Sequence, residues 1–100
     1  DEVELAYMKC DLILFDSRVK NSLRQFDQSL INLTDFISII GIIPTGKLDT
    51  TRVQELFDRA FKVLRDIRVL TRRKMDPELK AKLKDIESEL RNLQASILKK

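Results

Sequence analysis

The sequence predicts an all-α fold: an up-down-up three-helix bundle with a long first helix, which becomes four helices if that helix breaks near residues 16–22. Three observations carry the expectation. Glycine and proline number two each in 100 residues, whereas a β-rich chain of this size needs many turns built from them. Apolar residues make up 43% of the chain and recur at steps of three and four, the period of a helix face. Charged residues make up 35%, which excludes a membrane-spanning or disordered chain at this apolar content. One domain over residues 1–100 follows, with helices at about 2–40, 50–73 and 77–98.

The first helix is expected to bury Met8, Leu12, Phe15, Val19, Leu23, Phe26, Leu30, Leu33, Ile37 and Ile40, which are spaced by three or four. Gly41 is expected to close it in a left-handed conformation, with Ile42 folding back on Ile37 and Pro44 preventing continuation. The stretch 36–43 is rich in β-branched residues and has a strand as its alternative, but the helical period runs straight into it and favours helix. Capping residue types at Asp16-Ser17 and Asn21-Ser22 mark where the helix could break. Unbroken, it is nearly twice as long as the other two. Its second half suffices to complete a three-helix bundle. The first half then projects or folds back as a fourth helix. Leu5, Tyr7, Met8, Leu12, Ile13, Leu14 and Phe15 cannot stay bare on a lone helix in water.

The middle helix places Val53, Leu56, Phe57, Ala60, Leu64 and Ile67 on one face. Asp49 is its N-cap, with Leu48 and Val53 as a hydrophobic staple. The last helix carries an unbroken heptad seam of Leu79, Leu83, Ile86, Leu90, Leu93 and Ile97. Asp76 caps it, Pro77 occupies the first helical position and Glu78 complements the dipole. Only Lys74, Met75 and Asp76 separate the two helices, so they form an antiparallel hairpin.

Histidine is absent and Cys10 is the sole cysteine. The commonest general base and metal ligand is therefore missing, and no internal disulfide can form. No enzyme, cofactor, metal or small-molecule substrate is expected. An intracellular compartment, the reducing cytoplasm, fits best. Cys10 lies off the Met8/Leu12/Phe15 seam and is read as a semi-exposed helical cysteine. Residues 41–48, GIIPTGKL, nearly match the phosphate-binding loop G-x-x-x-x-G-K-[ST]. Leu48 stands where a hydroxyl must hold Mg²⁺, Pro44 removes an amide and a helix precedes the motif. It reads as a helix end, a turn and a helix start.

Charge is unevenly placed. Residues 1–16 hold five acids against one base, and residues 59–84 hold ten bases against three acids. Lys62, Arg65, Arg68 and Arg72 form a stripe opposite the apolar face of the middle helix, extended by Arg73 and Lys74. In an up-down-up bundle this basic tip and the acidic N-terminal half fall at the same end. The expected function is a protein–protein interaction module of a larger scaffold, adaptor or assembly. It would bind another protein, or a second copy, through Tyr7, Met8, Leu12 and Phe15 and through the basic tip. The alternative is binding to an anionic membrane surface or nucleic acid through the basic stripe.

Overall fold

The expected long first helix is two helices. In the computed structural model, which describes residues 1–98, α1 spans Glu2–Ser22, α2 Phe26–Ile42, α3 Thr50–Leu70 and α4 Pro77–Leu98, with a single 3₁₀ turn at Thr45–Lys47. The described residues contain no strand. The fold class is thus the all-α bundle in its four-helix form, and the stretch 36–43 is helical through Ile42.

The break falls at residues 23–25, one residue past the expected zone. The Gln25 amide donates to the Lys20 carbonyl at 2.8 Å and the Arg24 amide to the Asn21 carbonyl at 3.0 Å. This pair of bonds closes a helix end when the intervening residue is left-handed. Arg24, at φ 59°, takes the position that glycine usually fills. Its guanidinium donates to the Leu70 carbonyl at 3.1 Å, so one residue turns the chain and caps the end of α3. The expected left-handed Gly41 is absent: neither glycine has a positive φ, and the chain leaves α2 with Ile43 extended. Pro44, without an amide hydrogen, blocks further helix there.

The other helix ends follow the sequence. The Asp49 carboxylate accepts from the Thr51 and Arg52 amides, and that of Asp76 accepts from the Glu78 amide at 2.9 Å. α3 ends at Leu70, three residues short of the expected 73, because residues 71–76 form the turn into α4.

α1 and α2 form one antiparallel hairpin, α3 and α4 another. α1 packs on α2 and α3, α4 packs on the same two, and α2 meets α3 only sparsely. α1 and α3 run parallel. The Tyr7 hydroxyl accepts from the Asp49 amide at 2.9 Å and the Asn21 amide group donates to the Val63 carbonyl at 3.1 Å, both across 42 positions. Glu4 pairs with Arg52 and Asp11 with Arg59, both across 48 positions. A constant offset is what two parallel helices in one register produce.

The core joins all four helices. Leu14, Leu33, Phe36, Ile40, Phe57, Leu64, Ile67, Leu83 and Leu90 are almost fully enclosed, and Phe36 meets Phe57 edge to face at 5.5 Å. The seams expected for α3 and α4 are the ones buried, Leu79 and Leu93 partly. The seam expected for α1 is not. Its core face is Tyr7, Cys10, Leu14, Ser17 and Asn21. Ser17 and Ser29 exchange reciprocal hydroxyl-to-carbonyl bonds at 3.3 Å across the α1–α2 interface. Side chains this small let two helix backbones approach closely, and Phe or Leu there would hold them apart.

Candidate functional site

Because Ser17 and Asn21 face inward, the larger apolar residues of α1 face out. Leu5, Met8, Leu12, Phe15, Val19 and Leu23 step along the helix by 3, 4, 3, 4 and 4 and are all exposed, Leu12 by 68% and Phe15 by 61%. Taken at roughly 100 Å² each, these six side chains offer about 600 Å² of apolar surface, at the upper end of what a monomer ordinarily shows in one patch. α1 is therefore apolar on two opposed faces, one in the core and one in water. Beyond Phe15, Val69 and Leu70 of α3 line a groove shared with Val19 and Arg18.

Of the four residues expected to form the apolar site, Met8, Leu12 and Phe15 lie on this face and Tyr7 does not. Tyr7 is buried against the start of α3, with Arg52 stacked over its ring at 4.6 Å. It anchors the fold and is not available to a partner. Leu5, Val19 and Leu23 complete the outward face. The same rotation of α1 corrects Cys10, which is fully enclosed. Burial, reinforced by the neighbouring Asp11 carboxylate, pushes its thiol up to about 12, so almost no thiolate forms near neutral pH.

The face has charged margins. Glu4, Asp11 and Arg18 run along one side, Glu2, Lys9 and Asp16 along the other. Glu4 forms a two-point pair with Arg52, and the Arg52 hydrogen bonds hold its carboxyl below the ordinary range. Asp16 accepts from Asn32 and Lys20, which lower its carboxyl in that order. Both Asp11 and Asp16 keep nearly half of their side chains in solvent.

The basic residues separate into two groups. Lys62, Arg65 and Arg68 line a groove between α3 and α4 with Glu87 and Arg91. Arg68 is committed within the chain, donating to Glu87 at 2.8 Å, and does not extend as a solvated stripe. Arg72, Arg73 and Lys74 are exposed in the 71–76 turn, where Arg24 joins them around the end of α3. Arg24 was not legible as part of this tip, because only the turn at 23–25 brings it there. Among the described residues, Lys62, Arg65, Arg24, Arg72, Arg73 and Lys74 have no ion-pair partner.

With four helices the charged ends separate. The basic tip lies at the end of the bundle where α1 finishes, and Asp1, Glu2 and Glu4 lie at the opposite end, beside the start of α3. The expectation that they share an end fails because an extra helix reverses the direction of everything after it. The long axis of 43 Å thus separates Asp1, Glu2 and Glu4 from the basic tip.

Residues 41–48 lie at the acidic end, where Lys47 and Pro44 line a depression with Asp1 and Glu2. A Cβ added at Gly41 or Gly46 meets nothing, so neither glycine is required for close approach to a phosphate. No strand leads into the loop. No helix of the described residues is long and apolar enough to cross a membrane. In comparisons with known proteins, no family model, curated protein or solved structure matches the chain.

Proposed function

We propose that the chain is a non-enzymatic helical interaction module, acting within a larger scaffold, adaptor or assembly inside the cell. The observation that carries this is the outward face of α1: six large apolar side chains at heptad-like spacing, unpartnered, on a helix whose other face is already in a core. Water-exposed apolar surface of this extent is costly to keep unless something covers it. Residues spaced by three and four suit another helix laid alongside. The exposed bases Arg24, Arg72, Arg73 and Lys74 at one end would steer an acidic partner and set its direction, affecting the association rate more than the final contact.

A photoreactive residue in place of Leu12 tests this in the cell that makes the protein. Discrete protein adducts that disappear with Phe15→Glu are expected. Adducts no more specific than those from the same probe at Lys84 would refute the proposal. Capture of lipid or nucleic acid from probes at Arg72, with strong salt dependence, would favour the basic tip as the working surface. That second reading rests on the four unpaired bases of the tip.

A further inference from the structure

We infer that the occupant of the α1 face is a second copy of the same chain, laid antiparallel about a two-fold axis that passes between Leu12 and Phe15. The inference rests on the reading of that face as a docking surface and names its partner. The face is nearly symmetric along its own length. An axis at that point sets Leu12 against Phe15 of the second copy and Met8 against Val19 of the second copy. Leu5 falls at the level of Ser22 and Leu23 of the second copy. Each large side chain then has an apolar counterpart in the opposing helix, as knobs-into-holes packing requires.

The margins decide the direction. In an antiparallel pair each flank meets the same flank of its partner. This axis brings Lys9 to Asp16 of the second copy, and Asp11 to Arg18 of the second copy. Symmetry repeats both, so all four central flank contacts join opposite charges. Parallel pairing in register joins one flank to the other: it sets Asp11 against Asp16 of the second copy, a like-charge contact repeated twice, and its one opposite-charge contact, Glu4 with Lys9 of the second copy, competes with the Glu4–Arg52 pair. Asp11 and Asp16 retain the exposure needed to take a second cation beside their in-chain partners. Antiparallel docking also points the acidic start of α1 toward the second copy's Arg24 end. About 600 Å² of apolar area per copy, with the flanks added, approaches the roughly 800 Å² per partner of a standard stable interface. A two-fold contact buries the patch on both copies and leaves no open end to propagate.

Sedimentation equilibrium of the full chain, from low micromolar to near-millimolar concentration, is the first measurement. A monomer–dimer equilibrium is expected, and Leu12→Glu should return the monomer at every concentration, with helicity kept and a melting temperature equal to that of the parent at its lowest, monomeric concentration. Orientation is read by mixing Met8→Cys with Val19→Cys chains, each also carrying Cys10→Ala, under mild oxidation. The mixed disulfide should form in preference to either like pair. Preferential like pairs would overturn the antiparallel arrangement, as would species heavier than a dimer. A wild-type monomer at all concentrations would overturn self-association while leaving the proposed docking role intact. Specific adducts from the Leu12 probe to a different protein would then be the separate result supporting that role. If the dimer forms and Leu12→Glu does not dissociate it, the interface lies elsewhere and the inference fails.

Discussion

Two leucines two positions apart on α1 test the rotation of that helix. Leu14 is fully enclosed and Leu12 is mostly in water. Truncating Leu14 to alanine removes three carbons from the core, worth about 0.8 kcal/mol each. A residual cavity of roughly 50 Å³ adds about 1 kcal/mol at the usual cost per volume. The expected loss for Leu14→Ala is therefore about 3–4 kcal/mol, a large part of a small domain's stability. Leu12→Ala gives up only the buried third of its side chain, under about 1 kcal/mol, and alanine's higher helix propensity offsets part of that. Urea unfolding followed by circular dichroism separates the two. It should be run at the lowest workable concentration, because binding between copies adds apparent stability. At about 4–8 °C per kcal/mol for a domain of this size, Leu14→Ala should also melt more than about 10 °C below the parent. Equal losses, or more than about 2 kcal/mol for Leu12→Ala, would put both leucines in the core and remove the exposed face.

Further predictions follow from the same geometry. Leu90, enclosed at the centre of α4, should cost about 2–5 kcal/mol on truncation to alanine, and a melt within a degree or two of the parent would show that α4 does not seat there. Arg65→Glu should leave stability within about 0.5 kcal/mol, while Arg68→Glu, facing Glu87, should cost about 1 kcal/mol; equal effects would mean the Arg68–Glu87 pair is not formed. Glu87 has its carboxyl held below 4.5, by Arg91 first and then Arg68, so its contribution is present above that pH and lost as pH falls through the lowered value. Glu87→Gln should therefore be less stable than the parent at neutral pH and converge with it in acid, and a constant gap down the acid limb would contradict this. Cys10, raised to about 12 by burial and then Asp11, favours the fold below 9 and loses that contribution as pH rises toward 12. A thiol reagent at pH 8 should label it only as fast as the protein opens, and prompt labelling of the native chain would show the thiol exposed.

The sequence made α3 and α4 legible because each has a single apolar face, so period and burial coincide. α1 has two. Met8, Leu12, Phe15, Val19 and Leu23 form the more apolar series, and choosing the core by hydrophobicity selects them over Tyr7, Cys10, Leu14, Ser17 and Asn21. Packing decided otherwise, since α1 and α2 approach closely at Ser17 and Ser29, where only small side chains fit. The turn was hidden for a related reason. Leu23 and Phe26 continue the step of three across the break, and Arg24 holds the left-handed position without a glycine to mark it. Length mismatch in the sequence points to Met8, Leu12 and Phe15 as unmatched apolar residues, whereas the structure exposes them because α1 has a second apolar face. Asn21 is a capping residue type by sequence. It lies in the interior, where its side-chain oxygen has no hydrogen-bond partner and its nitrogen fixes α1 against Val63.

The parallel pairing of α1 with α3 bears on how the chain reaches this state. Each hairpin closes over a turn of a few residues, whereas the contacts joining α1 to α3 span more than forty positions. Closing the longer loops costs more chain entropy and is slower. During synthesis the α1–α2 hairpin emerges before α3 does. In that interval Asn21 and Tyr7 lack their α3 partners, and the outward face of α1 is bare as well. The nascent chain is thus most exposed to aggregation early, and the emergence of α3 ends that vulnerability on one side of α1 only.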